Sequence, residues 1–202
     1  MQNELIRQDI VFHRLMERNL ARGGRSNYIQ ICAPFELHAL VTIMKPRHVI
    51  EVGVSAGVSS AYFLHALESN GKGLLHSIDL PEKEIENTPR PKISWALPPG
   101  KKSGWAVPQS LKKNWDLRLG KSSEILPDLI KDVKSVDLFL YDTPYEIEEA
   151  KSDFAIVDQK LRQGSIALAD NCTIPISWWA RKRQRSKIVT RKNSGLQGFS
   201  NR

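Results

Sequence analysis

The fold is decided by one stretch of the chain, Arg47-His48-Val49-Ile50-Glu51-Val52-Gly53-Val54-Ser55-Ala56-Gly57-Val58-Ser59-Ser60-Ala61-Tyr62-Phe63. The β-branched residues at its start predict a short strand, its glycines predict a turn, and the serines that follow predict the start of a helix. A strand that ends in Glu-x-Gly and leads into a helix is typical of the first βα unit of an α/β fold that binds a nucleotide-like ligand. The stretch therefore predicts a ligand site at the carboxyl end of this strand.

The acid at position 51 restricts which ligand this turn can bind. A turn that binds a pyrophosphate presents bare backbone N–H groups at a helix N-terminus, and the carboxylate of Glu51 would repel the phosphates. The three-glycine phosphate turn of dinucleotide dehydrogenases is also absent from the sequence. A ligand that carries an ammonium and a sulfonium, and no phosphate, would be favoured by Glu51. These features predict S-adenosylmethionine.

Strand and helix patterns alternate through most of the remaining chain. Helices are predicted at 58–69, 123–132 and 146–161, and Ser122 or Ser123 is expected to cap the second of them. The predicted strands are 48–52, 74–79, 116–119, 136–141, 165–169 and a closing hairpin of 187–191 and 196–199. This order predicts an α/β fold with a mainly parallel seven-stranded sheet, flanked by helices and ending in an antiparallel strand.

The whole chain, residues 1–202, is expected to form a single domain. Residues 1–45 carry two helical patterns and are predicted to form an N-terminal helical cap. Residues 81–115 interrupt the alternation with six prolines, two glycines and three tryptophans. Because this stretch is longer than a usual βα loop and rich in aromatic residues, we expect an ordered insertion over the active site.

Composition excludes several classes of protein. No apolar run approaches the roughly 18–20 residues that cross a bilayer, and the N-terminus lacks the pattern of a signal peptide. Cys32 and Cys172 have no metal-ligand spacing and are too few for a disulfide framework. We therefore expect a cytoplasmic protein with no membrane partner. The net charge of +8 is concentrated in residues 181–187, where a solvated basic surface is favoured over a nucleic-acid site.

Polar residues follow the predicted strands in a specific series. The series is Glu51-x-Gly53-x-x-x-Gly57, Asp79, Gly120-Lys121-Ser122, Asp142 and Asp170-Asn171, after strands one to five in turn. In its order and spacing it resembles class I S-adenosylmethionine-dependent methyltransferases, most closely the O-methyltransferase-like branch. The resemblance covers about residues 28–200 and implies the Rossmann-like methyltransferase fold. Residues 98–115 resemble a feature of a subgroup whose substrates are mostly undefined.

The resemblance implies that most of this series binds the cofactor. Its two glycines would let the backbone approach the ligand closely, and Glu51 would favour the ammonium. Asp79 would accept hydrogen bonds from the two ribose hydroxyls, and Ser122 would lie at the adenine edge. Asp142 would lie near the sulfonium and the amino group. The implied cofactor-binding residues are Glu51, Gly53, Ser55, Gly57, Asp79, Ser122 and Asp142.

On the acceptor side the resemblance is to metal-dependent catechol-type O-methyltransferases. In these enzymes the acid after strand four and the Asp-Asn after strand five hold a divalent cation, and Asp142, Asp170 and Asn171 fall on those positions. All-oxygen ligation suits Mg²⁺ or another hard divalent cation, which would lower the pKa of a bound hydroxyl. The lysine of that family is replaced by Tyr145, so the general base is not identified. The candidate catalytic residues are Asp142, Tyr145 and Asp170; acids that only end strands are the alternative.

The leading functional hypothesis is S-adenosylmethionine-dependent methylation of a small-molecule hydroxyl, with residues 81–115 forming much of the acceptor pocket. Two alternatives stay open. The first is a nucleic-acid methyltransferase that uses the basic residues 181–187, although the tetrapeptide of amino-methylating enzymes is absent after strand four. The second is a protein that binds S-adenosylmethionine without catalysis, which the missing base suggests. A homo-oligomer is also left open.

Overall fold

The described residues of the computed structural model, 2–22, 34–81, 97, 100–143, 147–170, 188–190 and 197–200, are organised around one β-sheet. The helices are α1 (Gln2–Ala21), α2 (Pro34–Met44), α3 (Val58–Ser69), α4 (Ser122–Asp132) and α5 (Ile147–Asp158), with a 3₁₀ helix at Gln109–Asn114. The strands are β1 (His48–Val52), β2 (Leu74–Asp79), β3 (Trp115–Leu119), β4 (Val136–Tyr141), β5 (Leu161–Ala169), β6 (Ile188–Thr190) and β7 (Gln197–Ser200).

The strands lie in the order β3-β2-β1-β4-β5-β7-β6. Strands β1 to β5 pair in parallel and alternate with helices along the chain, which confirms the predicted α/β, Rossmann-like fold. Strand β7 extends this sheet antiparallel to β5, and β6 pairs antiparallel with β7, so β6 runs in the same direction as the parallel strands. The strand order reverses between β1 and β4, and in open α/β sheets ligands bind outside the carboxyl ends of the strands at such a point.

Apolar side chains cover both faces of the parallel strands, as expected where helices pack on each side. Along β1, Val49 joins the cluster on the α3 side and Ile50 joins the cluster on the α4 and α5 side. Along β4, Leu138 and Leu140 face the first cluster, and Phe139 packs in the second. The central strands β1 and β4 are therefore buried between two helical layers.

The two N-terminal helices and part of the insertion share the layer of α3. Met16 of α1 and Leu37 of α2 are buried in the same cluster as Phe63 of α3. Ala106, Val107 and Leu111, from the insertion and its 3₁₀ helix, pack in this cluster, with Trp105 and Trp115 against it. The described tryptophans of the insertion therefore contribute to packing, whereas Trp95 lies outside the described residues.

Local predictions differ from the structure at the end of α5, at the start of β5 and at the cap of α4. Helix α5 ends at Asp158 rather than at residue 161. Strand β5 begins at Leu161 rather than at Ser165, because the chain passes through Gly164 at a positive φ of 85° with a shift in its register against β4. The predicted serine cap of α4 is wrong: Lys121 occupies the N-cap without a side-chain hydrogen bond, and Ser122 donates elsewhere. Among the helices that the structure describes, none is long and apolar enough to cross a bilayer.

Candidate active site

The carboxyl ends of the five parallel strands bring the predicted site residues into one row. Each strand end is joined to its neighbour by one backbone hydrogen bond of 2.8 to 2.9 Å, donated by Gly120, Gly53, Asp142 or Asp170. The Gly120 N–H donates to the carbonyl oxygen of Asp79, and the other three donate to the last or next-to-last residue of the adjacent strand. The row therefore runs from Gly120 and Asp79 through Gly53 to Asp142 and Asp170.

Glu51 lies beneath this row and is sealed from solvent, with 0% of its surface exposed. Ser59 donates to its Oε1 at 2.5 Å, and Ser60 and Ser77 donate to its Oε2 at 2.6 and 2.7 Å. The indole N–H of Trp115 in turn donates to the Ser77 hydroxyl at 2.8 Å. Burial raises the pKa of Glu51 to about 7 despite the three hydroxyls. This carboxylate holds β1, α3 and β2 together and is not open to direct contact by a ligand.

The two motif glycines are required by the chain's own packing. Gly53 has φ +96°, and a Cβ at this position would lie 1.8 Å from the backbone oxygen of Asp142. Gly57 has φ +86°, and its Cβ would lie 2.7 Å from the Cα of Gly104 and from Cγ2 of Val107. Both positive φ angles favour glycine, and both sites lack room for a side chain. These glycines bring the β1–α3 turn against β4 and against the insertion.

Asp79 ends β2 and points its carboxylate at the β1–α3 turn. The Ser55 N–H donates to its Oδ2 at 3.1 Å, the N–H groups of Val54 and Leu80 also donate to it, and so does the hydroxyl of Ser103. Burial raises the pKa of Asp79, and these four donors oppose that rise. Since a carboxylate offers about four acceptor positions, Asp79 is already well satisfied by the protein. Three of these donors are backbone N–H groups, whereas the Ser103 hydroxyl can leave the Asp79 carboxylate when its side chain rotates.

The insertion is fixed on the same turn by its backbone. The Gly104 N–H donates to the Ser55 carbonyl oxygen at 2.8 Å, and the Ala106 N–H donates to that of Ala56 at 3.0 Å. Ser55 itself lies at a positive φ of 50° and is exposed. Residues 103–106 therefore lie along the predicted cofactor turn, next to Asp79.

Ser122 opens α4, two residues after the Gly120 amide that binds Asp79. Its hydroxyl donates to Oδ2 of Asp153 on α5 at 2.6 Å, and both residues are buried. Burial raises the pKa of Asp153 to about 6, and the nearby Glu149 adds to the rise while the Ser122 hydroxyl opposes it. Ser122 thus lies at the strand end next to Asp79, with its hydroxyl proton held by Asp153.

Asp142 and Asp170 form the acidic end of the row. Burial raises the pKa of Asp142 to about 7, and the charges of Asp170 and Glu51 add to the rise. Asp170 is also buried, and its Oδ1 is one of three buried side-chain atoms of the described residues that lack a hydrogen-bond partner. Two buried carboxylates that repel each other create a site that a cation would stabilise.

The other predicted acceptor-side residues, Tyr145 and Asn171, lie outside the described residues, as do the basic residues 181–187. Within the described ranges, no group of three or more histidine, cysteine, aspartate or glutamate side chains is placed to hold a metal ion. The two described members of the predicted ligand set, Asp142 and Asp170, do lie at adjacent strand ends and both supply oxygen donors.

Five residues of the site were missed by sequence reasoning: Ser59, Ser60, Ser77, Ser103 and Asp153. A signal existed for Asp153, because it lies on the inward stripe of α5 beside Phe154, where an acid requires a polar partner. The serines around Glu51 gave no such signal: Ser59 and Ser60 lie on α3, and Ser77 reaches Glu51 only through the pairing of β1 with β2.

Solved structures of low sequence identity share this fold. A putative caffeoyl-CoA O-methyltransferase from Staphylococcus aureus is 13% identical, with a TM-score of 0.63 and full coverage of both chains. An O-methyltransferase from Bacillus cereus in complex with SAH is 15% identical, with a TM-score of 0.58, covering 94% of this chain and 90% of its own. The O-methyltransferase TomG from Streptomyces achromogenes, in complex with SAM, is 16% identical, with a TM-score of 0.56 and coverages of 84% and 79%.

Sequence comparison gives the family. No curated protein matches the chain at a significant level. The family described as Methyltransferase domain matches residues 50–172, which is more than half of the chain and contains every strand end of the row. This match and the shared fold confirm the resemblance inferred from the strand-end series. The chain therefore belongs to the methyltransferase-domain family.

Proposed function

We propose that this protein transfers a methyl group from S-adenosylmethionine to the hydroxyl of a small molecule. The observation that carries the proposal is the row of carboxylates, Asp79, Asp142 and Asp170, along the carboxyl edge of a methyltransferase-family sheet. The relatives of known structure whose names describe O-methyltransferases, one with SAH and one with SAM, support the same reaction and cofactor.

In this proposal the cofactor extends along the row. Asp79 binds the ribose hydroxyls, Ser122 lies at the adenine edge, and Asp142 binds the ammonium of the methionine portion. Burial raises the pKa of Asp142, and the charges of Asp170 and Glu51 raise it further. A cationic group would relieve this repulsion, which supports the assignment. Glu51 contributes through its charge and by holding the turn, without touching the ligand.

The transfer is an in-line displacement. The acceptor oxygen forms a bond to the methyl carbon as the carbon–sulfur bond breaks, and the sulfonium becomes a neutral thioether. The hydroxyl proton goes to a carboxylate, for which we propose Asp170, because its buried Oδ1 has no partner among the described residues. Asp142 and Tyr145 complete the proposed catalytic set. Asp142 acts on the ammonium or a cation rather than on sulfur, where a carboxylate would stabilise the ground state more than the transition state.

We further propose Asp142, Asp170 and Asn171 as the ligands of a divalent cation such as Mg²⁺. Buried carboxylate oxygens are the donors that such hard cations prefer, and a bound cation would lower the pKa of the acceptor hydroxyl. The cation at this end of the site could be the ammonium of the ligand or a divalent metal ion. Titrating S-adenosylhomocysteine once in Mg²⁺ and once in EDTA shows whether its affinity depends on the metal. Equal affinity in both buffers would leave the ammonium as the only cation required for binding and would oppose a metal at Asp142.

Calorimetry with S-adenosylhomocysteine tests the proposed cofactor. We expect binding, and we expect Asp79→Ala to weaken it by about 1–3 kcal/mol, the usual effect of leaving polar partners unpaired. Asp128→Ala is the matched control, because this acid is exposed on α4 and pairs only with Lys131 among the described residues. Absence of heat at high micromolar ligand, with folded protein, would contradict the proposal.

The acceptor class is tested with S-adenosylmethionine carrying an isotopic methyl group. We expect label in methyl ethers formed from a panel of small phenols and alcohols. Label transferred to RNA or DNA, with binding that weakens steeply as salt is raised, would instead favour a nucleic-acid substrate. Cofactor binding without transfer to any acceptor would indicate a binding protein.

A further inference from the structure

We propose that Asp153 orients the hydroxyl of Ser122 so that it recognises the amino group at position 6 of the cofactor's adenine. This inference rests on the proposed function, because it assumes that the adenine lies at Ser122. It adds a positioning residue on α5, Asp153, and a reason why the site prefers adenine over a base with a carbonyl at that position.

The direction of the Ser122–Asp153 hydrogen bond carries the argument. The two oxygens are 2.6 Å apart, and an ionised carboxylate can only accept, so the Ser122 hydroxyl must donate to Asp153. The single proton of Ser122 is therefore directed into the protein. The lone pairs of its oxygen remain for the ligand, and they accept a hydrogen bond from an amino group and repel a carbonyl oxygen.

The surroundings of Asp153 fix this direction. Asp153 is 0% exposed, on the face of α5 that packs on α4, and Ser122 is 8% exposed at the start of α4. The Oδ1 of Asp153 has no hydrogen-bond partner in the described residues, so its other oxygen is the one that holds this acid in place. A buried acid that meets only a hydroxyl costs stability, and a role in the site accounts for that cost.

The backbone places Ser122 beside the ribose site. The Gly120 N–H donates to the carbonyl oxygen of Asp79 at 2.9 Å, and Ser122 follows two residues later. In the proposed pose the ribose binds at Asp79, so the base that it carries lies toward the next strand end, which is that of Ser122. Asp153 lies behind Ser122 and does not itself need to touch the ligand.

The test compares two probes, S-adenosylhomocysteine and S-inosylhomocysteine. The base of the second probe has a carbonyl where adenine has its amino group. We expect the wild type to bind the adenine compound about tenfold more tightly or better, the ratio that one hydrogen bond of ordinary strength gives. In Asp153→Asn the amide N–H₂ can donate to the Ser122 oxygen, which frees the hydroxyl proton for a carbonyl. We therefore expect the ratio to fall to about threefold or less in this variant.

Two further variants keep the inference testable. Ser122→Ala retains Asp153 and should also abolish the preference, which matters if Asp153→Asn does not fold by circular dichroism. Asp128→Asn, an exposed acid on the same helix as Ser122, should keep the wild-type ratio. If Asp153→Asn keeps the wild-type ratio of affinities for the two probes, including by losing affinity for both equally, the inference is overturned. Asp153 would then only hold α4 and α5 together. If the wild type binds neither probe, the proposed function itself fails.

Discussion

Glu51 has contacts within the protein that its place in the sequence did not indicate. Its place after a β-branched strand indicated a ligand-binding acid, yet three serine hydroxyls enclose it and 0% of its surface is exposed. Two of these serines follow closely in the chain, but Ser77 reaches Glu51 only because the two residues are aligned in adjacent strands. That alignment is a property of the sheet, so the local sequence could not reveal it.

Replacing Glu51 by alanine should destabilise the fold. Three buried hydroxyls would lose their acceptor, and we expect the free energy of unfolding to fall by about 2–4 kcal/mol in urea denaturation. Glu124→Ala, at an exposed position of α4, should change it by less than about 0.5 kcal/mol. Wild-type stability of Glu51→Ala would show that the serines find other partners.

Gly53 gives a second prediction at the residue scale. Gly53→Ala places a methyl group 1.8 Å from the Asp142 backbone oxygen, so the turn and β4 must separate. We expect a loss of stability of roughly 3 kcal/mol or more, with weaker binding of S-adenosylhomocysteine. Gly71→Ala is the matched control, because its φ is also positive but nothing lies within 4 Å of the added Cβ; it should cost only about 1 kcal/mol. Equal losses would mean that the backbone angle, rather than the contact, decides.

Among the elements, the insertion departs most from the regular alternation of strands and helices. Its prolines and tryptophans predicted an ordered segment, and the described part does pack on α3 through Val107 and Leu111. Its attachment to the β1–α3 turn depends on backbone N–H groups of Gly104 and Ala106, which carry no side-chain signal. For that reason the sequence indicated an ordered insertion but not the residues it touches.

Ser103 provides a prediction for this element. Its hydroxyl donates a hydrogen bond to the Asp79 carboxylate. In the proposed pose the ribose hydroxyls must compete with it for that carboxylate. We expect Ser103→Ala to bind S-adenosylhomocysteine about two- to fivefold more tightly in calorimetry, because one protein donor no longer has to be displaced. Ser69→Ala, whose hydroxyl bonds only within α3 among the described contacts, should bind like the wild type. Weaker binding by Ser103→Ala would indicate that this serine contacts the ligand instead.

At the scale of the whole molecule, the parallel strands were well predicted because each is a short apolar run bounded by clear turn residues. The boundaries of β1, β2 and β4 match the predicted ones. The strand ends also brought Asp79, Asp142 and Asp170 to one edge, as the topology requires. What sequence could not give is the second layer of contacts, such as Asp153 behind Ser122, which depends on how α4 packs on α5.

The opposite edge of the sheet carries a polar network of its own. His48 and His76 lie 3.2 Å apart between Nδ1 and Nε2, and His76 bonds to Asp116 at 3.0 Å. Asp137 accepts from the Arg47 and His48 backbone N–H groups and binds the Arg162 guanidinium. Burial, and then the neighbouring His76, lower the pKa of His48, and the charges of Arg47 and Arg162 also lower it, against the opposing effect of Asp137.

This network predicts how stability depends on pH. Since the pKa of His48 is lower in the folded state, the unfolded chain binds the proton more readily. The contribution to stability is present above the unfolded pKa of roughly 6.5 and is lost as the pH falls below it. The raised pKa values of Glu51, Asp142 and Asp153 act in the opposite direction, but they do so equally in the wild type and in His48→Gln. We therefore expect the Tm of the wild type to fall relative to that of His48→Gln between pH 7.5 and 5.5. Affinity for S-adenosylhomocysteine at pH 7.5 should not change, because the cofactor edge is at the other end of the strands. If the curves of Tm against pH run parallel for the wild type and His48→Gln, His48 does not contribute to the pH dependence of stability.

The link from Glu51 through Ser77 to Trp115 also has a consequence for synthesis of the chain. The turn that ends β1 is completed by Trp115 and by Gly104, so more than half of the 202 residues must be made before that turn has its partners. Asp142 follows later still. A chain that ends before Gly104 contains β1 and α3 but lacks residues that complete the predicted cofactor turn. The predicted cofactor turn is thus completed by residues that are synthesised after its own motif.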